Sequence, residues 1–140
     1  MEANCLMRIK YAEEHIRNCI EIRAYASHLI GRQTEIGCIC LDVMNGYGQI
    51  KVFCVKEAYR NRGIGRTLLT KATDMLCKVS DPQYIQVYPC PESLYGDELM
   101  EVEDLYDRYH SLGFVPVDGP FNKERSNYLH KKHIERHDFT

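Results

Sequence analysis

The sequence predicts an α/β fold of the α+β kind, and three observations carry that expectation. The first fifty residues alternate apolar and polar side chains at the period of strands. A further strand then runs through a loop of glycines and arginines into an amphipathic helix. A second helical pattern ends at Gly113 and passes into a short strand.

In chain order, Leu6–Tyr11 alternates from Met7 onward, and Cys19–Tyr25 places Ile20, Ile22 and Ala24 on one face. Ile36–Val43 is mostly apolar, interrupted by Gly37 and Asp42, and Gln49–Val55 leads into the glycine loop. Gly31-Arg32-Gln33 and Asn45-Gly46-Tyr47-Gly48 read as turns, so these strands form an antiparallel meander. Arg66–Lys78 is amphipathic, and Ile64, Leu68, Ala72, Met75 and Leu76 share one helical face. Tyr84–Tyr88 is a short strand stopped by Pro89 and Pro91. Leu99, Val102, Leu105, Tyr106, Tyr109 and Leu112 recur at helical spacing, with Asp97 as the expected N-cap and Gly113 as a left-handed C-cap. Phe114–Val117 and Ser126–Lys132 are the expected last strands.

At 140 residues the chain is expected to form a single domain, residues 1–140, large enough for a sizeable core. Its 18 basic and 20 acidic residues give a net charge of −2, which argues against direct nucleic-acid binding. No apolar run approaches the roughly 20 residues that span a bilayer, and the start lacks a signal peptide's basic and apolar regions. A cytoplasmic protein without membrane partners is expected. The seven cysteines mostly lie inside apolar strands and read as reduced thiols; Cys38-x-Cys40 has no second pair at zinc spacing. His130, His133 and His137 lack a Cys or carboxylate in register, so no metal is expected.

The glycine loop is where chemistry is written most plainly. Strand, loop and helix in that order present backbone N–H groups and the positive end of a helix dipole to an anion. Gly63 and Gly65 allow close approach to the backbone, and Arg60, Arg62 and Arg66 add donors suited to phosphate. Leu68 stands where a dinucleotide fingerprint needs its third glycine, and Gly65-Arg66-Thr67 is not a Walker loop.

Arg60-Asn61-Arg62-Gly63-Ile64-Gly65 matches instead the Q/R-x-x-G-x-G/A signature of the GNAT superfamily of N-acetyltransferases, which that superfamily uses to hold the pyrophosphate of acetyl-CoA. About forty residues on, Asp104–Phe114 resembles the second element of the same superfamily, a helix carrying a Tyr and followed by Leu-Gly-Phe, here Tyr109 and Leu112-Gly113-Phe114. The resemblance covers roughly residues 19 to 130. It departs at Val102, where an Asn often stands. It also departs before the second strand, where the superfamily often carries one or two helices and Ala12–Asn18 leaves room for at most a short helical turn. The compact build is similar to small phage-type acetyltransferases.

The resemblance implies a mixed, mostly antiparallel twisted sheet with helices packed on its faces. It also implies an acetyl-CoA-dependent N-acetyltransferase that moves the acetyl group directly to a primary amine in a ternary complex. Acetyl-CoA would be held by the backbone of Phe53 and Val55, by the loop Arg60, Asn61, Arg62, Gly63, Ile64 and Gly65, and by Arg66. Tyr109 would be the general acid toward the departing sulfur, and a backbone N–H such as that of Val55 would polarise the carbonyl. Asp42 and Glu57 are the candidates for general base. Cys54 suggests a covalent route, but no activating His or cation stands beside it in sequence, and alternation turns it away from Phe53 and Val55. The acidic run of residues 92–107 points to a cationic acceptor: a protein lysine, a polyamine or an amino sugar. Superfamily members often dimerise, so a homodimer is compatible, although no stretch specifies an interface. The alternatives are a non-catalytic acetyl-CoA-binding regulatory module, and a structural protein whose glycine loop is only a turn.

Overall fold

The computed structural model describes residues 7–28, 31–117 and 129–135. Four strands form the antiparallel meander that the alternation predicts: β1 (Met7–Ile16), β2 (Cys19–His28), β3 (Gln33–Val43) and β4 (Tyr47–Val55). Helix α1 (Ile64–Val79) follows the glycine loop and leads to β5 (Tyr84–Val87). Helix α2 (Val102–Ser111) precedes β6 (Val115–Pro116) and β7 (His130–His133). The strands lie in the order β1-β2-β3-β4-β5-β7-β6, and only β4 and β5 run parallel.

Two expectations are corrected. Residues 12–16 make no helical turn but continue β1, paired without a break from Met7↔His28 to Ile16↔Cys19. Arg17 takes a left-handed conformation (φ 55°) in the two-residue turn. An isolated helical turn is marginal in water, whereas the hairpin gives each of these residues a backbone partner. Asp97 is likewise not the N-cap of α2, which starts at Val102 with Glu101 as its cap residue. The Asp97 carboxylate instead accepts a hydrogen bond from the Glu57 N–H at 2.8 Å. Of the expected last strand, residues 126–128 lie outside the described residues.

Helix α1 packs on β2, β3 and β4. Its buried face, Ile64, Leu68, Leu69, Ala72 and Leu76, meets Ile20, Ile22, Ala24, Ile36, Ile39 and Leu41 from the sheet. Each leucine or isoleucine among them contributes about 1.5–3 kcal/mol when fully buried. The helix comes down hardest at Gly48, where an added Cβ would stand 2.7 Å from Leu76 Cδ2. Helix α2 ends as the sequence predicts. Gly113 is left-handed (φ 100°), the Phe114 N–H donates to Tyr109 O, and the Gly113 N–H donates to His110 O. This closes the helix as a Schellman motif.

One topological feature positions the site. β4 and β5 pair only from Tyr47–Gln49 to Tyr84–Gln86. β5 stops at Val87, and Pro89 and Pro91 have no N–H with which to extend a ladder. From Ile50 to Val55, β4 keeps β3 on one side and loses its neighbour on the other. The sheet opens there into a wedge.

Candidate active site

The wedge continues into a cavity of about 270 Å³, walled by the end of β4, the glycine loop, the start of α1, residues 90–92 and α2. Its floor is the free edge of β4. The Lys56 N–H bonds Ile36 O across β3, so by the alternation of a strand Phe53 and Val55 present their N–H and C=O groups to the wedge.

The loop is folded by two left-handed residues, Asn61 (φ 63°) and Gly63 (φ 81°), after a short 3-10 turn at Glu57–Tyr59. Asn tolerates this conformation, and at Gly63 it is the backbone angle that requires glycine, since an added Cβ would meet open space. Gly63 caps α1 and has no side chain to occupy its first N–H groups, and the first turn carries no acidic residue. Gly63, Ile64, Gly65 and Arg66 therefore bring the positive end of a 16-residue helix to the cavity wall.

Arg60 and Arg66 also build this wall. Arg60 Nε donates to Val55 O at 2.9 Å, and Arg66 donates to Ser111 O at 3.0 Å, tying α1 to the end of α2. The Arg62 guanidinium lies 5.5 Å from the centroid of the Tyr59 ring.

Tyr109 closes the opposite side. Its ring is buried, edge-on to Phe53 (6.1 Å between centroids) and to Phe114 (5.4 Å). Burial holds the phenol's pKa above its ordinary value, and the charges of Glu92 and Cys54 add to this. The hydroxyl therefore keeps its proton throughout the neutral range.

Phe53, Val55, Arg60, Asn61, Gly63, Ile64, Gly65, Arg66 and Tyr109 all line this one cavity. Arg62, within the loop, lies over the Tyr59 ring and is not in the lining. Of the two base candidates, Asp42 is corrected. It pairs with Gln49 at the far end of β3 from Gly37, which faces Val55, and its carboxylate lies 3.8 Å from Lys51 Nζ. The interruption it makes in an apolar strand is a paired position near the end of β3, two residues before the hairpin turn. Glu57 is exposed in the 3-10 turn and lines a neighbouring depression instead. Cys54 does line the cavity, but burial pushes its thiol pKa up, so it forms little of the thiolate that a covalent route needs.

Sequence reasoning missed Glu92. Its Oε1 accepts a hydrogen bond from the Phe53 N–H at 3.1 Å, inside the wedge. Only its place after Pro91, where β5 must stop, hinted that the chain turns back here. Among the described residues no group of three or more His, Cys, Asp or Glu could hold a metal ion, and His137 lies outside them. Among the same residues no helix is long and apolar enough to cross a membrane.

The acetyltransferase (GNAT) domain family matches residues 24–116. No curated protein matches the chain. Among solved structures, PaiA N-acetyltransferase from Thermoplasma acidophilum in complex with coenzyme A is similar with a TM-score of 0.60 at 19% identity; the match covers 84% of this chain. It spans 62% of that longer protein. A protein assigned as a streptothricin acetyltransferase from Bacillus anthracis, in complex with acetyl coenzyme A, gives a TM-score of 0.61 at 19% identity, covering 96% of this chain and 69% of that one. The anti-CRISPR protein AcrVA5 gives 0.51 at 22% identity, covering 69% and 88%. At these identities the likenesses show the fold.

Proposed function

As the chain belongs to the GNAT family of acetyltransferases, we propose that it is an acetyl-CoA-dependent N-acetyltransferase, acting as a single domain on a cationic primary amine. The observation that carries this reading is the continuity of the cavity. One space runs from the uncapped start of α1, past the free edge of β4, to the buried Tyr109.

The fit to acetyl-CoA rests on the donors present. The first turn of α1, with Arg60 and Arg66 beside it, suits a diphosphate. The exposed edge of β4 suits the pantetheine amides, which would add to it as an extra strand. Acetyl-CoA supplies an activated acyl group as a thioester. The Val55 N–H polarises the thioester carbonyl, and Tyr109 holds a proton for the sulfur.

The acceptor class follows from charge. Glu57, Glu98, Glu101, Asp104 and Asp107 line a depression that adjoins the cavity and shares Arg60, Met100 and Arg108 with it. Five carboxylates against two arginines favour an amine that arrives as a cation: a protein lysine, a polyamine or an amino sugar. Its similarity to an N-acetyltransferase supports an amine as acceptor.

Calorimetric titration with acetyl-CoA tests the reading, run beside the Gly63→Glu variant. The wild type is expected to bind, and the variant to lose at least about 100-fold in affinity. It combines a left-handed strain of about 1–2 kcal/mol with a carboxylate placed against the phosphates. Release of free CoA in the presence of polyamines, amino sugars or lysine peptides then identifies the acceptor. No binding by the wild type refutes the reading. Binding without CoA release from any amine would favour a regulatory acetyl-CoA-binding module.

A further inference from the structure

Glu92 is the only carboxylate among the described residues lining the cavity, and the chemistry above gives it no part. It stands at the mouth, in contact with water, in the irregular segment that follows β5. The carboxylate's one hydrogen bond among the described residues is from the Phe53 N–H, and no basic side chain pairs with it there; the Glu92 backbone carbonyl separately accepts from the Cys54 thiol. The N–H the carboxylate occupies lies on the part of β4 that has lost its strand neighbour. Any ligand adding to that edge as a strand needs the same N–H. A backbone N–H makes one strong bond, so ligand and carboxylate exclude one another.

Resting on the acetyl-CoA reading, we propose that Glu92 is a latch. In the free protein it holds the Phe53 N–H, acetyl-CoA displaces it by taking that N–H, and the released carboxylate becomes the proton acceptor for the incoming ammonium. The latch imposes an order, with acetyl-CoA first and the amine second. It also keeps the base tied up until the acyl donor is in place.

The protons balance. The acceptor enters as R–NH3+ and gives one proton to the Glu92 carboxylate, leaving a neutral amine. The nitrogen forms a bond to the acetyl carbon and the carbon–sulfur bond breaks. The second nitrogen proton leaves to water as the Tyr109 phenol gives its own to the sulfur, and Tyr109 regains one from solvent. Glu92 returns its proton to solvent, so the sum is amide, free thiol and one H+.

The surroundings fit this role. Facing Glu92 are Cys54 from β4 and Tyr109 from α2, both of whose protons its charge holds more tightly. Arg60, Arg66 and Arg108 share the cavity, and Asp97 lies near Cys54. Partial burial raises the Glu92 pKa above the ordinary carboxylate value, and the Phe53 N–H pulls it back down. Losing that N–H to acetyl-CoA removes the lowering influence, so proton uptake should accompany binding.

The experiment is titration of the full chain with acetyl-CoA at about pH 6, above the ordinary carboxylate range, in two buffers of different ionisation enthalpy. The wild type is expected to take up a larger fraction of a proton than Glu92→Gln; the difference cancels proton changes on the cofactor's own phosphates. Glu92→Ala, with no competitor for the N–H, is expected to bind about tenfold more tightly or better. Once an acceptor is found, Glu92→Gln should lose at least about 100-fold in kcat. If the wild type binds acetyl-CoA with no proton uptake beyond that of Glu92→Gln, and Glu92→Ala binds no more tightly, the latch is overturned while the acetyl-CoA reading stands. If the wild type does not bind, that reading fails and the latch with it.

Discussion

At Tyr47–Gln49, β4 has a strand on each side, β3 and β5; from Ile50 to Val55 it keeps β3 and faces a cavity. In the first half the backbone is fully engaged and a glycine lets α1 press against it. In the second half two of the outward groups are held by side chains instead, the Phe53 N–H by Glu92 and the Val55 C=O by Arg60. One strand thus divides its labour: the paired half fixes the fold, and the unpaired half is the edge to which we assign the ligand. The division is set by where β5 ends, at two prolines.

The largest effect that would sharpen this contrast lies on the unpaired side. Tyr109→Phe keeps the ring that packs edge-on against Phe53 and Phe114 and removes only the hydroxyl. Turnover is expected to fall about 100-fold or more, with acetyl-CoA affinity and the denaturation midpoint little changed. Unchanged turnover would leave Tyr109 as a packing residue only. On the paired side the expectation reverses. Gly48→Ala puts a methyl 2.7 Å from Leu76 Cδ2, between α1 and the sheet, with Leu41 and Ile85 close by. Urea denaturation should show a loss of about 1–3 kcal/mol, while the folded protein binds acetyl-CoA as the wild type does. A weakened cofactor affinity in Gly48→Ala would mean that the two halves are not independent.

How much of this was legible in the sequence also differs between the halves. Alternation and helical spacing depend on neighbours in sequence, and they located β2, β3, β4, α1 and the end of α2. The loop was legible because its signature is local: Arg60, Gly63 and Gly65 fall within six residues of one another, and Gly63 takes the left-handed angle that favours glycine. What depended on distant partners was not. Nothing in Ala12–Ile16 announces that β2 will extend the strand. Nothing in Asp42 tells that its end of β3 points away from the loop. Asp97 is a good N-cap by type, yet the Glu57 N–H, forty residues away in the chain, claims its carboxylate. Glu92 was read only as one member of an acidic stretch, because its role is set by the Phe53 N–H, 39 residues earlier.

The smallest effect concerns that same contact, read as stability rather than binding. Partial burial raises the Glu92 pKa in the folded protein, so the native state binds this proton more tightly than the unfolded chain does. Stability from this group is therefore greatest at acid pH and declines as pH rises from the unfolded carboxylate value, about 4.3, through the folded one. Glu92→Gln does not titrate there and can still accept the Phe53 N–H through its amide oxygen. The variant is expected to gain on the wild type as pH rises from about 4 to 7, by less than about 1 kcal/mol because the carboxylate keeps contact with water. Denaturation midpoints at the two pH values measure the gap. A gap that closes with rising pH would mean that the charged carboxylate is stabilised where it sits. The Phe53 N–H would then be a stronger partner than burial is a penalty, and the free edge of β4 would be harder to open than its missing neighbour suggests.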